Sequence, residues 1–140
     1  MTAETRPQTA SPGEKGNVLL MDDDKFLVDM YSMKFEASGY RMQACLSVAE
    51  ALEALRAGFR ADAIVFDLVM PEHDGFFFLQ ALLKERLTRG AALIALTNQG
   101  EDPEKAKAES LGVDRYIVKA SMIPSEVVAA VGEEIAKKKT

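Results

Sequence analysis

The segment NVLLMDDD (residues 17–24) places three aspartates directly after an apolar run, where a buried strand would meet water. Three more apolar runs end on a polar residue in the same way. They are residues 64–66 before Asp67, 93–96 before Thr97 and 116–118 before Lys119. In an open parallel sheet, ligands bind outside the carboxyl ends of the strands. We therefore expect these polar side chains to meet at one edge of a sheet.

Predicted strands and helices alternate from residue 17 onward, which is typical of a doubly wound α/β protein. The strands AIVF (63–66) and ALIAL (92–96) are apolar on both faces, as expected when helices cover a sheet from both sides. The pattern predicts five parallel strands flanked by five helices in three layers. Strands are predicted at 18–21, 40–46, 63–66, 91–96 and 115–118, and helices at 25–37, 48–57, 75–87, 103–111 and 124–137.

Several helix starts are marked by capping residues. Ser47 with Glu50 three residues later forms a capping box, and Asp24 and Asp74 each precede a predicted helix. Asp102 stands before a proline and is predicted to be the N-cap of the fourth helix. That helix is short, charged and poor in large apolar residues, so we expect it to dock weakly on the sheet.

Two apolar groups are assigned to the core because of their helical spacing. One is the run Phe76, Phe77 and Phe78, of which one or two rings should face the sheet and the third a neighbouring helix. The other is the pair Met30 and Met33, at helical spacing with other apolar residues.

Length and composition favour one independently folding domain. The chain has 140 residues, 48% of them hydrophobic, and a single cysteine, Cys45, so its core needs no disulfide. Residues 1–16 are interpreted as a disordered leader or an expression remnant, residues 17–137 as the domain, and residues 138–140 as a basic tail.

Charge and hydropathy argue against several classes of protein. The net charge is −5, and no basic stripe with interleaved aromatic residues supports direct nucleic-acid binding. No apolar run approaches the roughly 18 residues of a membrane span, and no secretion signal is evident. We expect no membrane insertion and a cytoplasmic location.

The polar residues at the strand ends suggest phosphoryl chemistry with a metal. Asp22, Asp23 and Asp67 cannot all stay ionised close together without a cation, and an all-oxygen set of ligands favours Mg²⁺. Asp67 could then attack phosphorus, while Lys119 neutralises the transferring oxygens and Thr97 donates a hydrogen bond.

The runs NVLLMDDD, AIVFDLVMPEHDG, ALIALTNQG and LGVDRYIVKA, in this order and spacing, resemble the receiver (phosphoacceptor) domain of bacterial two-component response regulators, single-domain type. The resemblance covers about residues 17–137. It implies a flavodoxin-like fold with strand order 2-1-3-4-5. It also implies a phosphoryl switch that is not an enzyme beyond promoting its own phosphorylation and dephosphorylation.

The resemblance implies that Asp67 accepts the phosphoryl group beside a bound Mg²⁺ ion. The implied metal ligands are the carboxylates of Asp22, Asp23 and Asp67 and the backbone carbonyl of Val69. The donor would be a histidine kinase or a histidine phosphotransfer protein. The downstream partner, a protein that the sequence does not identify, would bind the fourth helix, fifth strand and fifth helix.

Thr97 and Lys119 are implied to contact the phosphoryl group. Tyr116 matches the family's switch aromatic, whose ring is thought to turn inward as the threonine hydroxyl moves toward the phosphate. His73 is interpreted as an exposed loop residue, because a phosphorelay histidine normally comes from a partner protein.

The sequence departs from the family at several positions. Ala120 follows Lys119 where proline is usual, so that peptide bond should be trans, or else be held cis by strong contacts. Asn98 replaces a smaller residue and could narrow access to the site. Val69 and Gln99 occupy positions that influence hydrolysis of the acyl phosphate. Because valine cannot orient water, we expect slow self-dephosphorylation.

Two other functional classes fit parts of the sequence. Asp22 and Asp24 form the D-x-D pattern of haloacid-dehalogenase-type phosphatases, but no cap insertion or later acidic metal motif accompanies it. Alternatively, a receiver-like module could bind partners independently of phosphorylation, an alternative suggested mainly by Ala120.

Overall fold

The computed structural model describes residues 13–98 and 101–139. Most of the predicted leader, together with Gln99, lies outside these ranges. The strands are β1 (Gly16–Met21), β2 (Tyr40–Cys45), β3 (Ala63–Phe66), β4 (Ala92–Thr97) and β5 (Arg115–Val118). The helices are α1 (Lys25–Ala37), α2 (Val48–Arg56), α3 (Gly75–Glu85), α4 (Asp102–Ser110) and α5 (Pro124–Lys138), with a 3₁₀ turn at Lys119–Ser121.

The five strands form one parallel sheet in the order β2-β1-β3-β4-β5. This arrangement confirms the predicted doubly wound fold. Met21 lies beside Phe66, Phe66 beside Ala95, and Thr97 beside Val118. The residues that follow β1, β3 and β5 therefore emerge at the same edge of the sheet.

Two apolar layers cover the faces of the sheet. Leu19 and Met21 of β1 point into the layer that contains the buried residues of α2 and α3. Val18 and Leu20 point into the opposite layer, with α1 and α5. All four side chains are buried, which explains why the central strands are apolar without alternation.

The predicted caps are observed at three helices. The side chains of Asp24, Ser47 and Asp74 each accept a hydrogen bond from a backbone N–H in the first turn that follows. The prediction for α4 is wrong, since Asp102 is the first helical residue and Glu101 is an N-cap without a side-chain hydrogen bond. Pro103 is therefore the second helical residue instead of the first. Proline is tolerated there because the N–H groups of the first turn have no partner within the helix.

The aromatic run follows its prediction in part. Phe78 is fully buried against Phe66, and Phe76 is partly buried, whereas Phe77 is 43% exposed and stacks on His73. Met33 is 69% exposed, so its assignment to the core is wrong.

The buried stripe of α1 explains this error, because it consists of Val28, Tyr31 and Phe35. Met33 lies two residues beyond Tyr31, about 200° around the helix. Met30 is partly buried beside the stripe.

None of the described peptide bonds is cis, so the bond between Lys119 and Ala120 is trans. This was the first of the two predicted alternatives. Among the described residues, no helix is both long and apolar enough to cross a lipid bilayer.

Candidate functional site

Three carboxylates gather at the carboxyl edge of the sheet. Asp22 follows β1 and Asp67 follows β3, and both are almost completely buried, whereas Asp23 is exposed. One oxygen from each of the three lies within 4.8 Å of the others. The parallel register of β1 and β3 accounts for this proximity, because it aligns the residues at which the two strands end.

Lys119 completes the cluster from the end of β5. Its Nζ atom lies 2.7 Å from Oδ2 of Asp22 and 3.1 Å from Oδ2 of Asp67. The lysine side chain is only 10% exposed, so water screens these ion pairs weakly. Three of the four predicted strand ends, those at Asp22, Asp67 and Lys119, thus meet in one cluster.

Backbone hydrogen bonds hold the two buried carboxylates in place. Oδ1 of Asp22 accepts a hydrogen bond from the N–H of Asp24 at 3.0 Å, and Oδ1 of Asp67 accepts one from the N–H of Val69 at 2.9 Å. Each carboxylate therefore turns one oxygen to the backbone and the other to Lys119. Asp24 itself caps α1, as predicted.

The ionisation of the site reflects its burial. Burial raises the pKa of Asp67, and the Val69 N–H and the Lys119 ammonium only partly offset this effect. Burial also acts to lower the pKa of Lys119. The hydrogen bond to Asp22 and the charge of Asp67 outweigh burial, so the lysine pKa lies above its ordinary value. Lys119 therefore remains an ammonium group at neutral pH.

The cluster fits a hard divalent cation. Its three carboxylates face one ammonium, which leaves excess negative charge, and its donors are all oxygen. Mg²⁺ typically takes one or two protein carboxylates and keeps several waters, and a site partly open through Asp23 allows this coordination.

The loop after β3 packs tightly against the start of α3. The N–H of Gly75 donates to the carbonyl of Leu68 at 2.9 Å. A Cβ atom at Gly75 would lie 2.6 Å from the Asp67 carbonyl oxygen, so only glycine fits without displacing the loop. The beginning of α3 thus fixes the backbone that carries Asp67.

Thr97, at the end of β4, is almost fully buried. It lines a cavity of about 270 Å³ together with Val69, Asn98, Glu101 and Glu104. This cavity lies between the loop that follows Asp67 and the start of α4. Asn98 also lines this cavity and is exposed. The sequence predicted that a side chain of this size could narrow access to the site.

Tyr116, the predicted switch residue, lies half-buried on β5. Its hydroxyl donates a hydrogen bond of 2.6 Å to Oε1 of Glu104 on α4. Burial, and then the Glu104 carboxylate, raise the pKa of Tyr116 far above its ordinary value. The sequence did not reveal the role of Glu104, because a glutamate in a charged helix carries no motif that marks it as a partner.

The family model of the response regulator receiver domain matches residues 18–131, most of the chain and all of the strand ends described above. The chain belongs to this family. Domains of the family are in general regulatory rather than enzymes, and they typically bind Mg²⁺ at an acidic site. They interact with histidine kinases or phosphotransfer proteins and with downstream effectors.

Curated relatives of this receiver domain include longer regulators. This chain is 30% identical over 102 residues to the DNA-binding dual master transcriptional regulator RpaA of Synechocystis. The match covers 73% of this chain and 42% of RpaA. The chain is also 30% identical over 118 residues to the regulatory protein VanRc of Enterococcus gallinarum, covering 84% and 49%. The chain spans about half the length of the curated relatives it matches.

Solved structures that are similar to this chain include receiver domains. That of the Francisella response regulator 1452 is 27% identical, with a TM-score of 0.77, and the match covers 86% of this chain and 97% of that one. A CheY-like receiver domain from Methanospirillum hungatei JF-1 is 23% identical, with a TM-score of 0.80, and supports the fold alone. The match covers 88% of this chain and 95% of that one.

Proposed function

We propose that this receiver domain accepts a phosphoryl group on Asp67 from a histidine kinase or a histidine phosphotransfer protein. The observation that carries the proposal is the pairing of Lys119 Nζ with both Asp67, at 3.1 Å, and Asp22, at 2.7 Å. A carboxylate beside a buried ammonium and a second carboxylate matches the needs of phosphoryl transfer, where positioning and charge neutralisation do most of the work.

Each residue has a defined task in this proposal. Asp67 attacks phosphorus with one carboxylate oxygen as the bond between phosphorus and the donor's histidine nitrogen breaks, and the histidine leaves on its own protein. The backbone N–H of Val69 holds the other oxygen of Asp67 in place. Lys119 moves from ion-pairing with Asp67 to neutralising the phosphoryl oxygens, and Thr97 donates a hydrogen bond to them.

Asp22, Asp23, Asp67 and the carbonyl of Val69 would hold Mg²⁺. When bound, the ion supplies positive charge that neutralises the phosphoryl oxygens.

Phosphorylation is proposed to alter the surface formed by α4, β5 and α5, with Tyr116 as the switch residue. One phosphate adds nearly two negative charges close to the start of α4. A downstream protein target would bind the altered surface. We place the domain at residues 16–138, one residue beyond the predicted range at each end, because β1 begins at Gly16 and α5 ends at Lys138. The domain would act in the cytoplasm, and its only chemistry would be its own phosphorylation and dephosphorylation.

Intact-mass analysis after incubation with acetyl phosphate and Mg²⁺ tests the phosphoacceptor. We expect a gain of one phosphoryl group, about 80 Da, in the parent protein and none in Asp67→Asn. Asp24→Asn is the matched control, because asparagine also caps helices and this residue lies outside the proposed machinery. A parent protein that gains no mass would favour the phosphorylation-independent module. Labelling that persists in Asp67→Asn would exclude Asp67 as the acceptor.

The lifetime of the phosphoprotein is a second measurement. The Val69 side chain is 65% exposed beside the candidate acceptor and offers no polar group to orient an attacking water. We propose that self-dephosphorylation is slow for this reason. Val69→Asn should shorten the half-life measured by mass spectrometry, and an unchanged or longer half-life would contradict the proposal.

A further inference from the structure

The attachment of α4 to the rest of the domain depends on few contacts. Within the described residues, Ala108 is the one side chain of α4 that is buried. Two contacts from other side chains of α4 supplement it. Lys107 Nζ lies 4.3 Å from the centre of the Phe76 ring, and Glu104 accepts the hydrogen bond from Tyr116 on β5. A helix with so little apolar burial is held largely by such polar contacts.

Glu104 differs from the other charged residues of α4 in its surroundings. Its side chain is half-buried and lines the cavity that Val69 and Thr97 also line. Val69 in turn donates its N–H to Asp67, the proposed phosphoacceptor. The Glu104 carboxylate therefore borders the same cavity as the residue that holds Asp67, and it also accepts the hydrogen bond from the hydroxyl of Tyr116. Glu104 thus contacts the switch tyrosine and also borders the cavity next to the proposed acceptor site.

We propose that Glu104 couples the charge at Asp67 to the attachment of α4. In the unphosphorylated domain, its carboxylate ties α4 to β5 through Tyr116. Negative charge added at Asp67 repels the carboxylate, weakens the 2.6 Å hydrogen bond and releases α4. The charge-dependent part rests on the proposed function of Asp67, whereas the tie itself does not.

Electrostatics gives the direction of the effect. Like charges in a partly buried space are screened less than at the surface. A phosphate on Asp67, two residues from the cavity-lining Val69, should therefore raise the energy of the Glu104 carboxylate across that cavity. A hydrogen bond to a charged acceptor contributes more than one between neutral groups. Because α4 has only one buried residue, loss of this bond is expected to loosen the whole helix.

Hydrogen exchange of the peptide spanning residues 101–111 tests both parts of the proposal. Without ligand, Glu104→Ala should speed exchange of α4 amides about tenfold. Tyr116→Phe should speed it at least as much, because the hydroxyl also bonds the backbone of Glu101 just before α4. The double variant should not exceed Tyr116→Phe. Beryllofluoride with Mg²⁺, a phosphoryl mimic, should speed α4 exchange in the parent protein. It should have no further effect in these variants.

Glu104→Gln separates charge from hydrogen bonding, because the amide oxygen still accepts from Tyr116 but carries no charge. Its α4 amides should exchange more slowly than those of Glu104→Ala, and beryllofluoride should not speed their exchange. Glu109→Gln, at an exposed position of the same helix, is the matched control and should respond as the parent does.

A response of Glu104→Gln equal to that of the parent would overturn the coupling. Unchanged exchange in ligand-free Glu104→Ala would overturn the tie. Failure of the proposed function gives a separate result, because the parent protein would then gain no phosphoryl mass with acetyl phosphate. Hydrogen exchange of the ligand-free variants would still test the hydrogen bond between Glu104 and Tyr116. Circular dichroism melts of every variant establish that exchange reports on α4 and not on global unfolding.

Discussion

Helices α3 and α4 follow the two strands that end at Asp67 and Thr97, and both pack on the same face of the sheet, yet they are attached very differently. The buried residues of α3 are Gly75, Phe78, Leu79 and Leu82, whereas α4 contributes Ala108. A side-chain cap from Asp74 begins α3, and α4 starts without one.

This difference separates a fixed part of the domain from a responsive part. The start of α3 contacts the backbone at Asp67, so deep anchoring of α3 keeps the loop of the proposed acceptor in one geometry. The helix α4 borders the cavity that Thr97 lines, and with so few buried contacts it can shift at small energetic cost. In the proposed function, the chemistry would need the rigid part, and transmission of the change would need the adaptable part.

The largest expected effect concerns Cys45, which lies in the same apolar cluster as the buried residues of α3. Burial raises its pKa from 9.0 to about 12. At pH 8, iodoacetamide should therefore alkylate the folded protein at least about a thousandfold more slowly than the urea-unfolded chain. Glu104→Ala should leave the rate unchanged, because Cys45 lies on β2, at the opposite edge of the sheet from β5, to which Glu104 is hydrogen-bonded. Comparable alkylation rates in folded and unfolded protein would show that the cluster around Cys45 is not closed to solvent.

The raised pKa of Cys45 also predicts a dependence of stability on pH. Because the folded pKa exceeds the unfolded value of 9.0, the stability contributed by the neutral thiol is complete below pH 9. It is lost as the pH rises toward about 12. Urea denaturation of the parent and Cys45→Ala at pH 8 and pH 10.5 measures this loss, which should be smaller in the variant.

Core truncation gives the next largest difference between the helices. Leu82→Ala should lower the free energy of unfolding by about 2–5 kcal/mol, since Leu82 is fully buried. Ala108→Gly in α4 removes a single methyl group and should cost about 1 kcal/mol, mostly through helix propensity. Chemical denaturation of both variants, with exposed Lys105→Ala as a control, measures the contrast. Equal decreases in the free energy of unfolding for Leu82→Ala and Ala108→Gly would contradict the difference in anchoring between α3 and α4.

Removal of the helix caps should show a smaller asymmetry. Asp74→Ala deletes a hydrogen bond of 2.9 Å to the N–H of Phe77 and should cost about 1 kcal/mol. Glu101→Ala removes no such bond and should change stability by less than about 0.5 kcal/mol. Thermal melts of the two variants suffice, and a larger loss from Glu101→Ala would show that α4 is better anchored than its contacts suggest.

The smallest expected effect belongs to the contact between the two helices. Lys107→Ala removes the ammonium above the Phe76 ring and should cost about 0.5–1 kcal/mol at this exposed site. Lys107→Arg should retain most of that energy, since a guanidinium also stacks on aromatic rings. Equal stabilities of the alanine and parent proteins would mean that α4 is held without this contact.

The sequence by itself determined the order of elements and the four strand ends that carry polar residues. These two features depend on local patterns, namely apolar runs, caps and glycines, which act over a few residues. The strand order was implied only by the resemblance to the family. The cluster of Asp22, Asp67 and Lys119 could be predicted because all parallel strands end at one edge.

Only the tertiary structure decided which partners these residues take. The pairing of Lys119 with Asp22, the hydrogen bond between Tyr116 and Glu104, and the exposure of Met33 depend on side-chain directions and helix rotation. Helical periodicity predicts which residues share a face of a helix, but it does not predict which of these faces packs on the sheet. A charged residue on a short helix can lie in solvent or against a neighbour, and contacts distant in sequence make that choice.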